Sequence, residues 1–152
     1  MLTAVPDSYW GYDYLLHRED GQTVGRVKIN WGWGESGTVT AGDTFLEIER
    51  EGRTRPWFVR SQGQVVASIV KPSAFSRSFE IQWNQLQFRL EPRTWSSSFE
   101  LFCGTQCFGS LDRYGLFSRK MNVNLSDTVP LALQAIAVWV VLLMWRRAAR
   151  SS

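Results

Sequence analysis

The stretch Val129–Trp145, VPLALQAIAVWVVLLMW, decides the fold. Its only polar residue is Gln134, and Arg146, Arg147 and Arg150 follow at once. Asp127 and Thr128 precede Pro130, a cap-and-proline signature for a helix start. The helix predicted over 129–147 is apolar on every face, so it is either buried on all sides or embedded in lipid. Seventeen residues at about 1.5 Å each reach roughly 26 Å, the short limit for crossing a bilayer. Taken alone, the segment is a core plug with its arginines in water at the barrel mouth, or a tail anchor with those arginines at the interface. The rest of the chain must say whether it can house such a helix.

Upstream of it the sequence repeats with a period of 42. Ser68–Trp83, SIVKPSAFSRSFEIQW, aligns with Ser110–Leu125, SLDRYGLFSRKMNVNL, and Phe75-Ser76-Arg77 falls on Phe117-Ser118-Arg119. A weaker first copy aligns Gln22, Gln64 and Gln106, the small residues Gly25, Ala67 and Gly109, and the apolar Val39, Ile81 and Val123. The copies run over about 1–41, 42–83 and 84–125 within one domain, 1–152. Each alternates apolar and polar residues between turn signals, the pattern of strands. The middle copy predicts strands at Thr44–Arg50, Arg55–Ser61, Gln64–Lys71 and Phe75–Trp83. Three copies of four make twelve, the first beginning near Leu2–Val5.

Two-residue turns at Asp20-Gly21, Gln62-Gly63 and Gly104-Thr105 fix the hairpin register. They set His17 against Val24, Val59 against Val66 and Leu101 against Phe108, on a face expected to point inward. A bulge is expected at Gly25, Ala67 and Gly109. Cys103 then faces Gln106 and Cys107 faces Phe102, so the two thiols lie on opposite faces and stay free.

Closing twelve strands into a barrel removes the edges. Strands about 4.8 Å apart and tilted about 40° give a backbone radius of roughly 12 Å, too wide for strand side chains to fill. A helix is about 10–12 Å across with its side chains. The barrel needs an apolar plug and the chain carries an apolar helix. The expected fold is therefore all-β with one helix, a closed antiparallel barrel of twelve strands around a buried C-terminal helix.

The stretch Gly109–Arg147, GSLDRYGLFSRKMNVNLSDTVPLALQAIAVWVVLLMWRR, resembles the C-terminal end of the tubby-like superfamily. That group includes tubby C-terminal domains, phospholipid scramblases and LURP-one-related proteins. The shared pattern is a last strand, an acidic residue, Pro-Leu and a long apolar helix. The resemblance implies a twelve-stranded barrel around that helix. It also implies that basic residues on the barrel meet phosphoinositide headgroups.

Composition narrows the function. Apolar residues at 44% rule out disorder as the main state, and the formal charge of +3 is carried by 14 Arg against 3 Lys. That excess suits an anionic partner but is too small to point to nucleic acid. No secretory signal opens the chain, so a cytoplasmic, membrane-associated protein is expected. Two Cys and one His fall short of a zinc site, and no cofactor or metal is expected. His17, aligned with Val59 and Leu101, reads as a polar core residue, and no nucleophile pairs with it by motif. Glu47, Glu49, Glu51, Glu80, Glu91 and Glu100 alternate with apolar residues and mark the solvated face. In WGWGESG the glycines read as a turn. Trp31 and Trp33 read as an exposed stacking or membrane-interface surface, Trp33 more readily as core beside its counterparts Phe75 and Phe117. Lys71 and Arg113 recur at the repeat spacing, as do Arg77 and Arg119, with Lys120 adjacent, and Arg50, Arg53, Arg55 and Arg60 gather around one hairpin. Arginine suits bidentate recognition of phosphate. The candidate site is therefore Lys71, Arg77, Arg113, Arg119 and Lys120 on an Arg-rich outer surface. The expected function is a non-enzymatic module binding an anionic phospholipid headgroup or a protein partner. The alternative is a tail-anchored membrane protein.

Overall fold

The computed structural model describes residues 1–9, 11–32, 34–73, 76–93, 97–115 and 118–151. Twelve strands precede one helix. They are β1 (Leu2–Pro6), β2 (Asp13–Arg18), β3 (Thr23–Ile29), β4 (Gly37–Ala41), β5 (Thr44–Arg50) and β6 (Trp57–Ser61). Then come β7 (Gln64–Val70), β8 (Phe79–Trp83), β9 (Leu86–Pro92), β10 (Phe99–Cys103), β11 (Gln106–Arg113) and β12 (Met121–Leu125), and finally α1 (Leu131–Arg150). Each strand pairs antiparallel with its neighbours in sequence. β1 pairs with β12 through Leu2–Val123, Thr3–Asn122 and Ala4–Met121, which closes the barrel and leaves no edge.

α1 fills the lumen. At 20 residues it is about 30 Å long, and every residue from Leu133 to Leu143 is buried. It is long and apolar enough to cross a bilayer by length and composition, and 72% of its apolar 18-residue window is buried inside the barrel. The helix sits off-centre. It packs most closely on β3, β4 and β12, where the wall is thin. A Cβ added at Gly37 would run into the Lys28 carbonyl oxygen and the Trp139 indole. Bulky side chains fill the wider side. Trp57 meets Trp139 edge-on at 6.4 Å and Phe79 at 6.0 Å. Gln134 is satisfied inside by donating from Nε2 to the Val129 carbonyl at 2.9 Å. The expected Asp127/Thr128 cap is absent. Pro130 is the N-cap with no side-chain bond, and the Thr128 hydroxyl turns instead to Ser126 Oγ at 2.8 Å.

Hairpin register corrects one expectation and refines another. In β6–β7 and β10–β11 the two-residue turns hold, and Phe102 faces Cys107 while Cys103 faces Gln106. Both thiols are free. Three bulges fall where small residues were noted, with Val24, Val66 and Phe108 as the extra residues. The bulge shifts the pairing, so Leu101 opposes Gly109 and Val59 opposes Ala67, while Val24 and Phe108 stay partly buried against the core and Val66 is exposed. Gly109 sits at φ 123°, and a Cβ there would strike the Asn124 carbonyl.

The first hairpin differs. The Gly21 N–H bonds to the Arg18 carbonyl, the Arg18 N–H bonds to the Gln22 carbonyl, and Gly21 takes φ 85°. This is a three-residue turn, not two, and the odd residue exchanges the faces of β2. Tyr14 and Leu16 therefore enter the core, and His17 does not. His17 instead donates from Nδ1 to the Gly21 carbonyl at 3.2 Å. β8 begins at Phe79, so the strand expected from Phe75 is shorter. Trp33, Phe75 and Phe117 lie outside the described residues.

Candidate functional site

The connections at the two ends of the barrel carry opposite net charge. The connections 7–12, 30–36, 51–56, 71–78, 93–98 and 114–120 surround the C-terminal end of α1. Together with its last turns they hold ten Lys or Arg against three Asp or Glu. The connections at the other end, 19–22, 42–43, 62–63, 84–85, 104–105 and 126–130, hold no Lys or Arg and four Asp or Glu. An up-and-down barrel sends alternate connections to alternate ends, so the sequence sorts its loop charges by the parity of the connection.

At the cationic end a recess of about 400 Å³ opens between the 51–56 loop, the start of the 71–78 loop and the end of α1. Arg50, Arg53, Arg55, Lys71 and Arg147 line it. Arg50 builds the loop. Its guanidinium stacks on the Trp57 ring at 4.0 Å, donates from Nε to the Arg55 carbonyl at 2.9 Å and bonds the Arg53 carbonyl. With its backbone held this way, the loop presents Arg53 and Arg55 to solvent. Glu35 is the recess's internal counter-ion. Arg50 reaches it at 2.7 Å and Arg147 grips both its oxygens at 2.6 Å, while its carbonyl accepts the Trp57 indole N–H at 2.9 Å. Burial alone would raise the Glu35 pKa, but the hydrogen bonds and charge of Arg147 and the charge of Arg50 outweigh it, and the carboxyl sits below its ordinary value. Lys71 is shifted down, first by burial and then by the neighbouring Arg147 and Arg50 charges. An anion seated beside it would relieve that repulsion.

The expected residues divide among three places at this end, not on the outer wall of the barrel. Lys71 joins the first recess. Arg77 and Arg113 share a second recess of about 430 Å³ with Arg147, and the Arg113 guanidinium lies over the Trp145 ring at 4.2 Å. Arg119 and Lys120 line a third with Tyr9. Arg119 works as a clamp: it donates to the Ser8 carbonyl at 3.1 Å, the Tyr9 carbonyl at 2.8 Å and the Gly11 carbonyl, and its own carbonyl accepts from Tyr14 Oη at 2.8 Å. Lys120 stands 5.8 Å from the Tyr114 ring. Arg60 does not join its hairpin neighbours; it pairs with Glu49 at 3.4 Å on the outer wall.

The helix-terminal arginines are corrected as well. Arg146, expected in water, is buried and donates to the Asn30 carbonyl at 2.9 Å and the Gly34 carbonyl at 3.3 Å. Arg150 bonds the Gly32 carbonyl at 2.9 Å. These two and Arg147 bind the 30–36 loop to the helix, so the glycine-rich WGWGESG stretch is anchored by the helix end. Glu35 and Arg147 were not legible as a site, because 112 residues separate them. Among the described residues no group of three or more His, Cys, Asp or Glu is placed to hold a metal ion. No protein-family model, no curated protein and no solved structure matches this chain.

Proposed function

We propose that this protein is a non-catalytic binding module for anionic phospholipid headgroups, acting from the cytosol, with its binding surface at the cationic end of the barrel. The observation that carries the reading is the recess of five cations, Arg50, Arg53, Arg55, Lys71 and Arg147, balanced by one carboxylate, Glu35. Guanidinium groups match phosphate oxygens in paired hydrogen bonds, and several around one cavity favour a phosphate over a single carboxylate. Arg53 and Arg55 are exposed and make the outer contacts, with Lys71 beside them. Burial of α1 inside the wall supports its role as the barrel's core over that of a tail anchor.

Co-sedimentation of the full chain with vesicles tests this. Binding to vesicles rich in anionic lipid, little binding to zwitterionic vesicles, and loss of binding in Arg53→Glu with Arg55→Glu are expected. Equal binding to both lipids, or no effect of charge reversal, would refute it.

A further inference from the structure

The cationic end also carries the barrel's loop aromatics. Of the described residues, Tyr9, Tyr12, Trp31 and Tyr114 belong to the connections at this end, and the connections at the other end contain no aromatic residue. Among the described ones, Tyr9 is 84% exposed, Trp31 76% and Tyr114 64%. A soluble domain gains nothing from holding such rings in water. The three neighbour one another through the order of strands, since the loops β11–β12, β1–β2 and β3–β4 follow in succession around the rim. They are also held there. Arg119 grips the Tyr9 carbonyl, Arg146 and Arg150 grip the carbonyls flanking Trp31, and Lys120 lies beside the Tyr114 ring. Each of these three aromatics thus has a cation bonded to its loop backbone or beside its ring.

Aromatic rings set among Lys and Arg are the signature of a surface that enters the headgroup layer of a bilayer. We infer that the protein docks end-on to an anionic lipid bilayer, with Tyr9, Trp31 and Tyr114 inserted at the interface, the recess around Lys71 facing the headgroups and α1 standing across the plane of the membrane while remaining inside the barrel. The inference rests on the headgroup reading and adds to it a geometry and an apolar contact. Charge complementarity selects the end. The other rim exposes Phe45, Val65 and Leu86, but its connections hold four carboxylates and no Lys or Arg, and the cations at its strand ends, Arg18 and the Met1 ammonium, do not build the cationic excess of the first end, so an anionic surface favours the first end. Charge and insertion act together, because neither a few cations nor a few rings alone hold a protein firmly on a membrane.

Two measurements on the full chain decide it. In a background with Cys103→Ser and Cys107→Ser, a polarity-sensitive fluorophore is placed at Trp31→Cys, at Tyr114→Cys or, at the opposite end, at Asp43→Cys. Anionic vesicles should shift the emission of the first two to the blue and leave the third unchanged. A shift at position 43 alone, or at none of the three while the protein is bound, overturns the inference. In the second measurement, Trp31→Ser and Tyr114→Ser are combined. The double variant should bind anionic vesicles about tenfold or more weakly, yet bind the soluble probe inositol hexakisphosphate as the parent does. Vesicle binding equal to the parent's would overturn end-on insertion and leave the headgroup reading standing. A parent chain that binds neither vesicles nor the soluble polyphosphate would overturn both.

Discussion

Replacing Glu35 by Gln should make the protein less stable and a better anion binder at once. The carboxylate lies between Arg50 and Arg147, with side chains 18%, 12% and 30% exposed respectively. Breaking a fully buried ion pair by removing one partner costs about 3–5 kcal/mol. Partial exposure of all three groups lets water screen the loss, and Gln keeps one acceptor oxygen, which brings the expected cost to about 1–3 kcal/mol. The same change removes the one carboxylate that competes with a ligand for these guanidinium groups. A charge near an anionic membrane surface is worth about 1 kcal/mol, so affinity for anionic vesicles should rise about fivefold. Phosphate should partly rescue stability, because an anion that binds only the folded state at ten times its Kd adds about 1.4 kcal/mol. Urea unfolding followed by circular dichroism, with and without phosphate, and vesicle titration read the two effects. A folded Glu35→Gln protein whose vesicle affinity is unchanged or lower would refute the assignment of Glu35 as the recess's counter-ion.

Acidification should act through the same carboxyl. Its folded-state pKa lies below its ordinary 4.5, so its contribution is fully present above that value and is lost as pH falls through the folded-state pKa. Urea midpoints between about pH 6 and pH 3 should fall more steeply for the parent than for Glu35→Gln. Two tryptophans should behave oppositely. Trp139→Ala removes a fully buried ring from the helix–wall contact and should cost about 3–5 kcal/mol, whereas exposed Trp31→Ala should change stability by less than about 0.5 kcal/mol. Gly109→Ala puts a Cβ against the Asn124 carbonyl at a positive φ and should lower stability by about 1–3 kcal/mol in thermal unfolding. Arg119→Met removes the bonds to three carbonyls of the β1–β2 loop and should speed proteolysis there while the barrel stays folded.

Much of the architecture was legible because it rests on local pattern. Alternation placed Thr44–Arg50 with both ends right, and the apolar run placed the helix within a few residues. The closing argument was global: a twelve-stranded wall too wide for its own side chains and a helix with no other home. What failed turned on single residues. One additional turn residue at Glu19-Asp20-Gly21 exchanged the faces of β2 and took His17 out of the core, and three bulges broke the expected pairing of Val24, Val66 and Phe108, leaving Val24 and Phe108 only partly buried against the core and Val66 exposed. Arg119, read as a ligand group, also clamps the backbone of the β1–β2 loop, a role set by carbonyls more than a hundred positions away. Arg146 looked like a solvated mouth residue for the same reason. The polarity of the two ends was present in the sequence all along. It emerges once loop charges are summed over alternate connections instead of along the chain.

The account depends above all on α1 being the core of the barrel. Ending the chain after Ser126 removes eight large, fully buried apolar side chains between Leu133 and Leu143. At about 1.5–3 kcal/mol each their loss is about 12–24 kcal/mol, as large as or larger than the roughly 5–15 kcal/mol that holds a domain folded. Circular dichroism and solubility of the shortened chain, measured beside the full chain in the absence of detergent, test this directly. The account predicts a soluble β protein for the full chain and an aggregated or unfolded shortened one. A shortened chain that is soluble and folded, beside a full chain that needs detergent, would contradict it.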